Sequence, residues 1–428
     1  MLKTIKIFLS ISLLFAGINL FSQNSTSSPY SQFGIGDIVN KGFGQNYAMG
    51  GTGIGMRSST NQNNINPASL SALKIQRFKF QIGIKNQTTK FKSSNAESTS
   101  NDINLDYLSM WFRVSNWWHS SFSLNPYSNV GYNIVDSQNY PSIGNVETYF
   151  VGSGGINQFN WSNSFQFFKH FSVGINASYL LGSLNQTRTV IFVDDSYTTN
   201  TQSEKNINIS DVFFNYGIQY YNKLNENYSY TLGLKFDNET KINVEKSILS
   251  GSTYGKYTNS IYDNTLIDTL ENIKDQKDSF TIPTNLGFGF SFSKNQKFII
   301  SADYTTQNWS STKFLGRTDS LTNSNSFKFG LEYTPKWNSI NHAYKRFHYR
   351  FGGHYTNTYL NIYNEQLKDY GISFGLGIPL RKTNTLINLS FELGQRGTID
   401  NNLIKENYGI IRLNLSLSDI WFIKRKFD

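Results

Sequence analysis

The chain contains no cysteine, so disulfides, thiolate metal sites and the acylated cysteine of a lipoprotein are all excluded. Beyond the first two dozen residues no stretch approaches the roughly 20 consecutive apolar residues that a membrane-spanning helix needs. If the mature chain lies in a membrane, strands put it there. A concentrated basic stripe is also missing. The formal charge is +10, or +8 once Lys3 and Lys6 are removed with a leader (10 − 2 = 8), and it is scattered except for Lys424-Arg425-Lys426. Nucleic-acid recognition, which needs such a stripe beside readout elements, is therefore not expected. Anionic membrane surfaces suit the balance better. Proline is limited to 7 residues, which leaves long strands uninterrupted.

Aromatic residues are plentiful, with 34 Phe and 26 Tyr, as is glycine at 33. Yet the mean hydropathy is only −0.41. A chain polar on average and rich in aromatics fits strands with one wet and one greasy face. At the N-terminus, Lys3 and Lys6 precede an apolar run from Ile7 to Phe21, with the small Ser22 before Gln23. This reads as a secretory signal peptide over residues 1–22.

From Arg77 onward the dominant signal is period-2 alternation, which sends successive side chains to opposite faces. Phe327, Phe329, Leu331 and Tyr333 alternate with Lys328, Gly330, Glu332 and Thr334. Likewise Ile387, Leu389, Phe391 and Leu393 alternate with Asn388, Ser390 and Glu392. Segments long enough for a tilted membrane strand of roughly 9–11 residues number fourteen: 77–91, 102–114, 119–127, 157–168, 171–184, 208–222, 227–240, 280–294, 296–308, 325–336, 346–358, 368–379, 384–394 and 406–418. An even number closes an all-β, up-and-down antiparallel transmembrane barrel over residues 77–418.

The connections sort as such a barrel requires. Short links fall around Trp117, Lys169, Leu224, Asn295, residues 336–345 and Arg381; longer ones cover 92–101, 128–156, 185–207, 241–279, 309–324, 359–367 and 395–405. Short turns belong in the periplasm and long loops outside, which places both termini in the periplasm of a bacterial outer membrane. Residues 241–279, rich in Asn, Asp, Ser, Thr and Lys, are expected to be a solvated loop, and 419–428 a basic periplasmic tail.

Residues 23–76 do not alternate. They contain a glycine run, Gly50, Gly51, Gly53 and Gly55, then Asn66-Pro67-Ala68. Too short and too rich in glycine for a domain, the segment is expected inside the barrel as a hatch, its backbone groups bonded to lumen side chains. The run Ala48-Met49-Gly50-Gly51-Thr52-Gly53-Ile54-Gly55, followed by Asn66-Pro67-Ala68-Ser69-Leu70, resembles the long-chain fatty-acid transporter (FadL/TodX-type) family. The late stretches Glu392-Leu393-Gly394-Gln395-Arg396-Gly397, Glu406-Asn407-Tyr408 and Asp419-Ile420-Trp421-Phe422 look like its sub-branch in Bacteroidota. The resemblance implies a fourteen-stranded barrel with an N-terminal hatch whose motif is Asn66, Pro67 and Ala68, in surroundings of outer-membrane lipids. It also implies passive movement of hydrophobic small molecules through the wall or past the hatch.

Other chemistry finds little footing. Gly50 to Gly55 lacks the preceding strand and following helix of a nucleotide loop. His348 and His354, six residues apart on one strand, are separated by roughly 20 Å and cannot share a metal. No cofactor and no enzyme activity are expected. The inward-facing Lys328, Glu332, Arg350, Glu392 and Arg412 suggest a lumen charge network that pairs with the hatch. Pro126 marks either a wall kink that opens laterally or the end of its strand. Two functions therefore stand side by side: transport of a hydrophobic solute, or a non-transporting structural subunit of an outer-membrane complex for secretion or barrel assembly. A transporter keeps an apolar pocket open to the outside or the bilayer. A scaffold has a filled lumen and a conspicuous contact surface.

Overall fold

The structure is a computed structural model that describes residues 25–40, 42–73, 77–194, 199–254, 257–258, 261–262, 265–295, 297–315, 321–380 and 385–420. The signal peptide, most of the basic tail and the link at Arg381 lie outside the described residues.

Fourteen antiparallel strands form a closed barrel: β1 (Arg77–Lys92), β2 (Glu97–Arg113), β3 (Trp118–Tyr140), β4 (Gly144–Phe167), β5 (Phe171–Phe192), β6 (Asn200–Lys223), β7 (Tyr228–Asp237), β8 (Asn285–Lys294), β9 (Phe298–Gln307), β10 (Ser324–Tyr333), β11 (His348–Ile362), β12 (Glu365–Pro379), β13 (Leu386–Arg396) and β14 (Lys405–Ile420). Neighbours in sequence pair throughout, and β14 returns to β1 from Lys405↔Lys92 to Ile420↔Arg77. The alternation behaves as the pleat dictates. Phe327, Phe329, Phe351, Phe374 and Phe391 point outward and are exposed, whereas Glu332, Arg350, Ser373, Asn388 and Glu392 are buried in the lumen. Such an apolar exterior over a polar interior is stable only against hydrocarbon.

Strand lengths are unequal, and the excess lies on one side. β7 to β10 have 10 residues each, about what a membrane crossing requires. β3, β4, β5 and β6 have 23, 24, 22 and 24. Their outer faces change character partway up: Leu181 gives way to Ser183 and Asn185, and Val212 to Ser210 and Asn208. Above that level the four strands project as a sheet in water. The expected loops 128–156 and 185–207 are thus largely paired strand, cut only at their tips.

Residues 241–279 are not an irregular loop. They form most of a β-hairpin with arms Thr240–Tyr254 and Thr265–Ile282, whose first arm pairs with upper β6 from Ile209↔Val244 to Asn200↔Thr253. The barrel strand expected from residue 280 therefore starts at Asn285. Pro126 does not end its strand either. β3 runs on to Tyr140, absorbing the proline beside a bulge between Pro126↔Asn157 and Ser128↔Ile156, where a missing N–H is tolerated. Pairing of β3 to β2, in contrast, stops at Leu108↔Leu124, so the upper halves of these neighbours are separate.

Candidate functional site

The described residues between 25 and 73 pack against inward-facing groups of the barrel strands. The stretch enters at the long-loop half, where Asn104 donates to the Ser25 carbonyl at 3.0 Å, and descends to the short-turn end, where Trp111 donates to Leu70 at 3.1 Å. The N-terminus, expected in the periplasm, lies outside the described residues. A short turn of 3-10 helix, Pro29–Gln32, begins the descent, capped by Ser28. Asp37–Ile38 then adds to the free side of β3 opposite Asn129 and Ser128.

The glycine run makes the tightest contacts with the wall. Gly50 and Gly51 have φ of +66° and +78°, a left-handed turn that side chains resist. A methyl group on Gly55 would meet the Phe290 backbone at 2.7 Å. The wall answers with its own glycines: Gly233, Gly289, Gly330 and Gly352 stand where any Cβ would strike Ile54, Gly55, Met49 or Gly50. Asp303 on β9 accepts from the backbone N–H of Gly53 at 2.6 Å and of Ile54 at 2.9 Å.

Asn66-Pro67-Ala68 opens a second 3-10 turn, Pro67–Ala72. The Asn66 Oδ1 caps it by accepting from Ala68 N at 3.1 Å. Its Nδ2 donates to the Ile54 carbonyl at 2.9 Å and lies 3.3 Å and 3.2 Å from the carbonyls of Ile218 and Leu234. Proline at the first helical position lacks only an N–H that would have no partner there. The backbone of Pro67 and Ala68 lies against Gly174 of β5, where any Cβ would strike it.

The five charged residues singled out from the sequence fall into two pairs and a single. Glu332 meets Arg350 at 2.7 Å and accepts from Gln45 of the inner segment at 2.8 Å. Arg412 meets Glu392 at 2.7 Å and lies 4.1 Å over the Tyr47 ring; burial holds that phenol well above its usual range, hence neutral. Lys328 joins neither pair and donates to Asn40 at 3.2 Å. Sequence reasoning missed Asp303, although its parity with Ser301 and Thr305 marks it as inward. It also missed Arg57 and Arg396. Arg57 bonds Ser172, Gln219 and Ser71 and covers the Tyr221 ring at 3.8 Å; burial lowers it only to about 10, so it stays cationic at neutral pH. Arg396 joins Asp37 and Glu406, each at 2.6 Å.

An apolar core lies at the long-loop end of the barrel. Tyr127, Ile156, Leu180, Ile207 and Phe213 from the projecting strands pack with Ile242 and Phe280 of the hairpin, Trp309 after β9, Tyr359 and Leu360 at the end of β11, and Ile35 of the inner segment. Tyr30 belongs to it; burial pushes its phenol up to about 12, so the hydroxyl remains a donor to the Ile404 carbonyl at 2.6 Å. Among these residues lies a cavity of about 200 Å³, smaller than the roughly 300–1,000 Å³ of typical small-molecule sites. Apolar Tyr127, Phe213 and Trp309 and charged Lys235, Asp237 and Arg396 line it, and the charged groups are already paired, Lys235 to Asp237 at 3.4 Å and Arg396 to Asp37. A second cleft, about 340 Å³, lies in the wall between Ala96–Ser100 and Gly131–Ile134, the upper parts of β2 and β3.

A family model described as BamG matches residues 1–428. No curated protein sequence matches the chain. Among solved structures, the toluene transporter TbuX of Ralstonia pickettii is 15% identical with a TM-score of 0.57, the match covering 88% of this chain and 98% of that one. The toluene transporter TodX of Pseudomonas putida is 16% identical with a TM-score of 0.56, covering 91% and 100%. A FadL homologue of Pseudomonas aeruginosa is 10% identical with a TM-score of 0.55, also covering 91% and 100%. At these identities the likeness is one of fold: a FadL-type outer-membrane barrel.

Proposed function

The chain belongs to the BamG family, and from that membership and its occupied lumen we propose that it is a non-transporting structural subunit of a multiprotein outer-membrane assembly. The observation that carries this reading is the occupation of the barrel at two levels. The inner segment contacts strands around the circumference of the lumen, and an apolar core is packed at the long-loop end. Both would have to be taken apart before a solute could pass. In this reading residues 25–73 are a fixed hatch, the short turns face the periplasm, and the projecting sheet is the surface offered to partners. The family name adds weight to membership in a complex.

Extraction from native membranes in mild detergent, followed by sizing and mass spectrometry, tests it. Co-elution in fixed stoichiometry with other outer-membrane proteins is expected, as is unchanged uptake of toluene by cells lacking the chain. A free monomer together with a loss of uptake would overturn the proposal.

One observation favours hydrophobic transport as the second reading. Pairing of β3 to β2 stops at Leu124, close to Pro126, and a cleft lies between the upper parts of these strands. A solute entering there would reach Ser27 and Pro29 of the inner segment. Toluene uptake that falls when Pro126 is replaced would support this reading instead.

A further inference from the structure

The sheet that projects beyond the barrel has two edges, and they differ in kind. One is the second arm of the hairpin, Thr265–Ile282. Its pairing with the first arm is broken by register shifts at Leu266/Asp268, Thr269/Glu271 and Ile273/Gln276, and it carries Asp268, Glu271, Lys274, Asp275, Lys277 and Asp278. Bulges and charges are how sheet edges are kept from pairing with other chains.

The other edge is upper β3, and it has no such protection. From Ser128 to Tyr140 it pairs with β4 without a shift, and between Gly131 and Tyr140 it carries a single charge, Asp136. On its free side the chain's own inner segment already adds a strand: Asp37–Ile38 pairs with Asn129 and Ser128, and Val39 N donates to the Tyr127 carbonyl at 3.0 Å. Ser31 then bonds both the N–H and the carbonyl of Gly131. There the supply of partners stops. By the two-residue repeat of the pleat, the backbone groups of Asn133, Val135, Ser137 and Asn139 point to the same side, and no described residue pairs with them.

We propose that this edge receives an extended segment of a partner polypeptide, which continues the ladder begun by Asp37–Ile38 and lies against the cleft beside Ala96–Ser100. The chemistry required is that of a backbone: alternating N–H and C=O groups in register, as in strand addition. A hydrocarbon solute supplies neither. The inference rests on the reading of the chain as a subunit of an assembly and names how one partner attaches.

Because the chain has no cysteine, single-cysteine variants Asn133→Cys, Val135→Cys and Ser137→Cys can each carry a benzophenone and be photocrosslinked in native membranes. The expected result is crosslinks to one contiguous segment of one partner, stepping by two residues between variants. Val135→Pro, which removes an edge N–H, lowers recovery of that partner about tenfold, whereas Val135→Thr, which keeps it, does not. Crosslinks to lipid alone, to residues 96–104 of the same chain, or to scattered sites overturn the proposal. If the chain sizes as a free monomer, the assembly reading fails with it. If the assembly is intact but the stepped crosslinks are absent, the strand-addition inference fails alone.

Discussion

The carboxylate of Asp303, on the ninth barrel strand, holds the N–H of Gly53 at 2.6 Å and that of Ile54 at 2.9 Å. A wall residue thereby fixes the turn at the centre of the inner segment. Two charge-assisted bonds in a buried site contribute about 1.5–3 kcal/mol each. Asp303→Ala is expected to leave the barrel folded, as judged by heat-modifiable migration in gels, while amide exchange over residues 49–56 accelerates at least about tenfold. Unchanged exchange would show that the anchor is dispensable.

Gly352→Ala tests the fit from the other side. The added methyl would strike the Gly50 nitrogen and the Met49 backbone, neither of which can move alone. The expected outcome is local displacement of residues 48–52 and a new or larger conductance in planar bilayers, with Gly409→Ala, where a methyl meets only the Leu393 side chain at 3.5 Å, as the silent control.

Asn66→Asp separates the two roles of one side chain. The cap to Ala68 survives, since it needs only an oxygen. The donors to Ile54, Ile218 and Leu234 are lost, and a buried carboxylate then faces three carbonyls. Destabilisation of the inner segment by about 3 kcal/mol is expected, read as increased cleavage near residues 57–66 by added protease. Equal resistance in Asn66→Asp and the parent would refute the bridging role.

Arg396→Met leaves Asp37 and Glu406 without their shared cation. Stranding buried carboxylates costs about 3–5 kcal/mol, so the upper part of the inner segment, residues 28–38, should loosen. The companion Arg396→Lys restores charge without the planar fork and should recover only part of the loss. Hydrogen exchange over residues 28–38 reads both variants.

The strands within the membrane were legible because a hydrocarbon exterior forces a greasy residue at every second position. Phe288, Phe290 and Phe292 announce β8 without ambiguity. Upper β4 to β6 and the hairpin carry no such obligation. Water bathes their outer face, so only pairs such as Ile242 and Val244 keep the period, too few to distinguish a strand from a polar loop. Pro126 was readable as a disturbance but not as a bulge, since its neighbour's pairing decides that. In the lumen, Glu332–Arg350 and Glu392–Arg412 could be placed on one face by parity. Their choice of partner follows from barrel register, which one strand's sequence does not contain. Asp303 stayed hidden because its partners are backbone groups, which leave no mark in sequence.

The wall glycines also bear on what the barrel can hold. Gly233, Gly289, Gly330 and Gly352 make the barrel's inner surface a mould of one particular cord of chain, cast from several staves. The notches lie along one arc of the hoop, on its seventh, eighth, tenth and eleventh staves, and together they admit only a cord of that outline. A foreign insert grafted onto this wall would find no seat.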